Sequence, residues 1–152
     1  MGSKRRKKNV QVEFQVATRC TGVPPQDIVL SWARAAAEQD CRVTIRIVGR
    51  PEALALNQQF RGRSYATNVL TFVYTDQPLT DGDIALCATV VKREAREQGK
   101  EPEAHWAHLV VHGMLHLQGY DHENPEEAEI MESRETQILR ELGYPDPYRI
   151  AA

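Results

Sequence analysis

Long apolar runs are missing from this sequence. No stretch approaches the roughly 18 residues that a membrane-spanning helix needs, and no secretory leader pattern opens the chain. Neither a membrane anchor nor a membrane partner is therefore expected. Aromatic residues are sparse at 7%, and neither an internal repeat nor a low-complexity linker is visible. Cysteine is scarce too. Cys20, Cys41 and Cys87 are odd in number, far apart, and lack the close pairing of a thiolate metal site. Free thiols in a reducing cytoplasm are the expectation. What remains is ordinary for one globular domain: 152 residues, 41% hydrophobic and 26% charged.

A strong excess of positive charge is also absent. The formal net charge is −2, and the run Lys4-Arg5-Arg6-Lys7-Lys8 supplies five of the cations. Without that run the net charge would be −7. Residues 1–9 read as a flexible basic leader: an arm that seeks nucleic acid, a solvated tail, or the remnant of an expression tag. Residues 10–152 read as the single functional domain. A body this acidic would need a local basic patch to hold a nucleic acid, because its overall field would repel phosphate.

Histidine is concentrated where other chemistry is thin. All five histidines fall within residues 105–122. His112 and His116 stand four apart, so a helix carries both on one face. Gly119 can leave that helix with positive φ and turn the chain, and His122 then arrives from another direction. Three imidazole nitrogens converging at about 2.0–2.1 Å would hold one zinc ion and leave a coordination position for a reactant. The spacing is shared with zinc proteases, whose general base is a glutamate after the first histidine. Here that position is Gly113, which speaks for hydrolytic zinc and against peptide cleavage. His108 makes a further i, i+4 pair with His112 and reads as a residue backing the ligands or facing substrate. Asp121 either accepts the free N–H of a ligand imidazole or caps the turn.

The surrounding pattern is α/β. Val10, Val12, Phe14 and Val16 alternate with polar residues as a strand. A helix follows Pro24-Pro25, with Ile28, Val29, Trp32, Ala33 and Ala36 as its apolar stripe. Val43, Ile45 and Ile47 make a second strand. Its other face carries Arg42, Thr44 and Arg46, either a solvated face or part of an RNA-binding surface. A short helix over Leu54, Leu56 and Phe60 ends near Arg61, before a loop with Arg63. Val69–Tyr74 reads as a central strand, Asp76–Gly82 as a turn, Asp83–Cys87 as a fourth strand and Thr89–Gln98 as a helix. Glu103–Gln118 is apolar nearly all round and so is expected to be buried. Asn124-Pro125-Glu126-Glu127 opens a last helix with a cap, an N1 proline and a capping-box glutamate. The expected architecture is one mixed four-stranded sheet with about five helices packed on it and the zinc site at its rim.

His112 to His122, with Ala107–Val111 before it, resembles the signature of the YbeY family. The block Phe60–Phe72, which contains Arg61 and Thr67-Asn68-Val69-Leu70, is similar to a second family block, and Asp81-Gly82-Asp83-Ile84 to a third. The resemblance runs from about Val10 to Tyr148. It implies a single-strand-preferring zinc-dependent endoribonuclease, with one ion per chain, acting in small-subunit ribosomal RNA maturation and ribosome quality control. It further implies ribosomal small-subunit proteins and an Era-type GTPase as partners. Arg61 matches the family's functionally important arginine; a planar, permanently charged fork suits the charge that builds on a phosphate under attack. Whether water or the RNA 2′-hydroxyl attacks stays open.

Two rivals remain open at this point. One is a zinc hydrolase acting on a substrate other than RNA. The other is a non-catalytic ribosome-assembly factor whose zinc is structural, closed by a fourth ligand such as Cys87 or Asp121.

Overall fold

The computed structural model describes residues 8–61 and 67–149, apart from the side chains of Phe60 and Arg61. Nine elements follow in the order β1 (Val10–Ala17), α1 (Gln26–Ala36), β2 (Cys41–Val48), α2 (Arg50–Arg61), β3 (Val69–Thr75), β4 (Thr80–Cys87), α3 (Ala88–Glu97), α4 (Pro102–Leu117) and α5 (Pro125–Glu141). The expected α/β class, the single mixed four-stranded sheet and the five helices are all present. No helix among the described residues is long and apolar enough to cross a membrane.

Strand order is β1-β2-β4-β3. The first three strands run parallel, joined in register Phe14↔Ile45↔Ile84, and β3 is antiparallel to β4 with Thr71 opposite Ile84. Two expectations need correction here. Val69–Tyr74 is an edge strand, with Val73 and Tyr74 largely exposed; its β-branched residues satisfy one covered face rather than two. The fourth strand starts at Thr80, so Asp81-Gly82 lies within the ladder and is not a turn. Asp and Gly are turn formers by local chemistry, but pairing with β2 on one side and β3 on the other overrides that preference.

One helix forms the middle of the molecule. α4 packs against α1, α3, α5, β3 and β4. Trp106, Val110, Val111, Met114 and Leu115 on it are sealed from water together with Trp32, Ile45, Ile47, Ile84, Leu86 and Leu139. Each large side chain so buried contributes about 1.5–3 kcal/mol. Gly113 lets α4 sit close over the sheet: a Cβ there would come within 3.1 Å of Ile84 Cδ1 and Cγ2.

Gly119 ends α4 as the sequence leads one to expect. Its φ is +102°, its N–H donates to the His116 carbonyl, and Tyr120 N–H donates to the Leu115 carbonyl. That is a Schellman closure, which satisfies two terminal carbonyls and reverses the chain. Gln118, just before it, locks the turn to α1: its amide donates to the carbonyls of Ala36 and Met114 at 2.9 Å, and its oxygen accepts from Glu38 N–H at 2.7 Å. α5 begins as read, with Asn124 Oδ1 accepting from Glu127 N–H at 2.9 Å and Pro125 in the first turn.

Candidate functional site

The C-terminal half of α4, the turn after it and edge strand β3 together gather three histidine rings. His112 and His116 lie parallel, with centroids 6.4 Å apart and an interplanar angle of 4°. His122 stands nearly perpendicular to both, 5.5 Å from His112 and 6.3 Å from His116. Imidazoles sharing one tetrahedral ion at about 2.0–2.1 Å per nitrogen have centroids roughly 5–6 Å apart. The His112–His122 pair falls in that range and the other two pairs are wider, so the three rings surround a common point and would have to draw together to share an ion. The cluster's position beside β3 is the expected rim of the sheet.

Two of these rings are turned by a bond to their Nδ1. His112 Nδ1–H donates to Glu135 Oε1 at 2.7 Å. His116 Nδ1 lies 2.6 Å from Thr71 Oγ1. With Nδ1 engaged by a second residue, the nitrogen left for an ion is Nε2 in each case. Asp121 behaves differently. Its carboxylate accepts the backbone N–H of His122 at 2.7 Å and stands 3.8 Å from His122 Nδ1. It caps the turn and makes no hydrogen bond to the ring.

A second donor group shares His112. One donor atom each from His108, His112 and Glu135 lies within 4.8 Å of the others, and this group could also hold a metal ion. Glu135 is fully buried. Burial alone would raise its pKa; the bonds from His108 and His112 outweigh that and hold it down to about 2. An ionised carboxylate only accepts hydrogen bonds, so His112 is the donor. Its separation of 2.7 Å is a hydrogen-bond length; two ligand atoms on one tetrahedral ion at about 2.1 Å stand roughly 3.4 Å apart. His108 Nε2 is 3.5 Å from Glu135 Oε2 and 3.2 Å from the Tyr148 hydroxyl, which itself donates to Glu135. Burial, then Glu135, push the Tyr148 phenol well above its ordinary value.

Sequence reasoning passed over Glu135, Thr71 and Tyr148. Glu135 carried the clearest signal, a carboxylate in the apolar stripe of α5 between Met131 and Ile138-Leu139. Arg61 closes α2, but its side chain and all of Arg63 lie outside the described residues. Arg42 and Arg46 are already partnered. Arg42 Nη2 is 2.7 Å from Asp81 Oδ2, and Arg46 Nε is 2.6 Å from Glu52 Oε2. Phosphate on that face would have to displace a carboxylate. Cys87 is buried beside Val48, Ala53 and Val90, with its thiol near Thr89 Oγ1.

Comparison with known proteins settles the lineage. The family profile described as Endoribonuclease YbeY matches residues 8–143. The chain belongs to the YbeY family. The endoribonuclease YbeY of Aromatoleum aromaticum is 57% identical over 125 residues, 82% of this chain and 81% of that protein. That of Nitrosomonas eutropha is 52% identical over 136 residues, 90% and 96% of the two chains. Among solved structures, TM1509 from Thermotoga maritima matches with a TM-score of 0.56 at 27% identity, covering 91% of this chain and 99% of that one. In this YbeY protein Gly113 faces Ile84 in the core, where a Cβ would lie 3.1 Å from Ile84 Cδ1 and Cγ2, so a glutamate there would crowd the sheet.

Proposed function

We propose that this YbeY protein is a zinc-dependent endoribonuclease that cuts single-stranded segments of ribosomal RNA during small-subunit maturation and quality control, in the cytoplasm. Its one catalytic domain runs from Val10. The supporting observation is the three-ring cluster of His112, His116 and His122, two of whose members are oriented through Nδ1 by groups on separate elements. Two of the ligands come from α4 and the third from the turn that Gly119 permits.

The donor set is all nitrogen, neutral when bound, and open on one side; side chains of His112 and His122 are 22% and 54% exposed. That chemistry fits zinc. Zinc held there would supply Lewis acidity at a phosphate oxygen and lower the pKa of a bound water. The chain's own contribution is placement. α4 is fixed by burial on five neighbours, so the His112–His116 spacing is rigid. Gln118 and Gly119 fix where His122 enters. Arg61, at the end of α2, is the assigned cation for the charge that develops on phosphorus oxygens. Arg63, Arg42 and Arg46 are candidate backbone contacts, the last two only after exchange of their carboxylate partners. Ribosomal small-subunit proteins and an Era-type GTPase are the proposed protein partners.

The test pairs metal analysis with cleavage of ribosomal RNA by highly purified protein. Wild type should hold one zinc and cut. His112→Ala should lose both; Arg61→Ala should keep zinc and cut at least about 100-fold more slowly, the scale set by loss of one charge-stabilising donor. Equal cleavage by Arg61→Ala and wild type would remove the arginine from the mechanism.

The His108, His112 and Glu135 group supports a second reading, in which the ion sits behind His112. His116→Ala separates the two. It abolishes zinc binding if the three-histidine cluster is the site and leaves it intact otherwise.

A further inference from the structure

Among the described residues, Glu135 is the one buried carboxylate. Its side chain is fully enclosed, on the face of α5 that otherwise presents Met131, Ile138 and Leu139 to the core. Replacing a whole buried ion pair by apolar residues of similar volume is often neutral or even stabilising, so packing alone gives no reason for a carboxylate here. Its two oxygens face different ways. Oε1 accepts from His112 Nδ1–H at 2.7 Å. Oε2 accepts from the Tyr148 hydroxyl and faces His108 Nε2 at 3.5 Å.

Tyr148 belongs to the short segment after α5. That segment is tied down elsewhere as well: Tyr144 accepts from Trp32 Nε1–H at 3.1 Å and donates to Glu103, and Lys100 Nζ donates to the Pro147 carbonyl at 2.9 Å. The Tyr148 ring edges against His108, centroids 5.2 Å apart. Three side chains therefore run in line from the molecular surface to the cluster, Tyr148, Glu135 and His112, with His108 beside them.

We propose that Glu135 is the positioning residue of His112 and that Tyr148 is its outer brace. The carboxylate fixes His112 as the Nδ1–H tautomer and stops the ring rotating, so Nε2 points into the three-histidine cluster. The Tyr148 hydroxyl holds the carboxylate in the one orientation that meets His112. This rests on the reading that His112, His116 and His122 bind the ion.

The experiment uses the full chain and three readouts. In metal-free protein labelled with ¹⁵N-histidine, long-range ¹H–¹⁵N spectra of wild type should show His112 as the Nδ1–H tautomer; Glu135→Gln should show a mixture with the Nε2–H form. Zinc affinity, measured by competition with a chromogenic chelator, should fall about 10–100-fold in Glu135→Gln and by less in Tyr148→Phe. The melting temperature of the metal-free protein should fall in Glu135→Gln, because an amide can no longer accept at both ends from His112 and Tyr148; the tautomer and the zinc affinity therefore carry the test. A Glu135→Gln protein with wild-type tautomer and wild-type zinc affinity overturns the inference. So does a lower melting temperature with unchanged affinity, the signature of a structural role. Should Glu135→Gln fail to fold, Tyr148→Phe decides, since it removes one hydroxyl from a partly exposed ring: unchanged affinity and tautomer would overturn the brace. Failure of the underlying reading looks different. Zinc would then survive His116→Ala and be lost in His108→Ala, placing the ion among His108, His112 and Glu135.

Discussion

Thr71 Oγ1 stands 2.6 Å from Nδ1 of His116 and thereby joins edge strand β3 to the last turn of α4. Thr71 pairs with Ile84 in the ladder, and Ile84 is the residue against which Gly113 packs. The strand residue that turns His116 is thus two contacts away from the glycine that sets the height of α4 over the sheet.

Thr71→Val should weaken zinc binding about 10–100-fold. Valine fills the same space but removes the hydroxyl that meets His116 Nδ1 and helps set the ring's orientation. Stability of the metal-free protein should drop only by ~1 kcal/mol, the net worth of one hydrogen bond. Chelator competition and thermal unfolding check the two numbers separately. Equal zinc affinity in the two proteins would show that the Thr71 hydroxyl does not set the orientation of His116.

Gly113→Glu, which restores the residue pattern of a zinc protease, should yield no peptidase. The new side chain would have to enter the Ile84 contact, where even a Cβ is at 3.1 Å. Overpacking costs about 1–3 kcal/mol, and an unpaired carboxylate in the core adds to it. The expected fall is at least ~3 kcal/mol, or roughly 6–12 °C in Tm for a chain of this size. Gly113→Ala should lose far less, because the gain in helix propensity of ~1 kcal/mol offsets part of the crowding. Calorimetry of the two variants tests the order.

Gln118→Leu probes the lock between α4 and α1. Both halves of the Gln118 amide are used, towards Ala36 and Met114 carbonyls and Glu38 N–H. Leucine would take this partner from Glu38 N–H and the Ala36 carbonyl in a half-buried place, while the Met114 carbonyl keeps the Gln118 backbone N–H, at a cost of ~2–3 kcal/mol. Urea unfolding should show a lower midpoint with an unchanged slope. A stability equal to wild type would mean that water replaces the amide.

His105 gives the fold a pH dependence of definite sign. It is buried on α4 with Nε2 at 3.0 Å from Glu94 Oε1. Burial lowers its pKa below 6.5, and Glu94 only partly opposes this. The unfolded chain therefore takes up a proton at higher pH than the folded one. The stability linked to neutral His105 is present above pH ~6.5 and is lost as pH falls through the folded value. In metal-free protein, wild type should lose more stability than His105→Gln between pH 7.5 and 5.5. Parallel losses would assign the titration elsewhere.

Much of the site could be read from the chain because it is local. His112, His116, Gly119 and His122 sit within eleven residues, and helical spacing plus one positive-φ glycine is enough to bring the rings together. The residues that orient those rings are not local. Thr71 lies 45 positions from His116 and Glu135 lies 23 from His112, so only the packing of β3 and α5 on α4 reveals them. The same distinction explains the error over β3. Val69–Val73 has the composition of a strand covered on both sides, but whether a neighbour lies beyond it is decided by chain topology. Arg42 and Arg46 looked like free cations for the same reason, since Asp81 and the Glu52 side chain reach them only after folding.

Gly119→Ala separates backbone geometry from packing. Nothing lies within 4 Å of a Cβ built at Gly119, so the only obstacle to alanine is φ at +102°. Gly99 ends α3 with the same pair of closing bonds and equally open surroundings, at φ +64°. Alanine tolerates the Gly99 geometry better, because +64° is inside the left-handed well and +102° is beyond it. Gly99→Ala should cost ~1 kcal/mol and leave zinc affinity untouched, since none of the three cluster histidines lies on that turn. Gly119→Ala should cost ~2–3 kcal/mol. If alanine relieves that strain by opening the turn, His122 moves away from His112 and His116, and zinc affinity falls with stability. Melting temperatures and chelator competition on both variants give four numbers. Loss of zinc affinity confined to Gly119→Ala ties the third ligand to the shape of this turn, and equal affinity in both variants would show that His122 is placed by something other than the glycine.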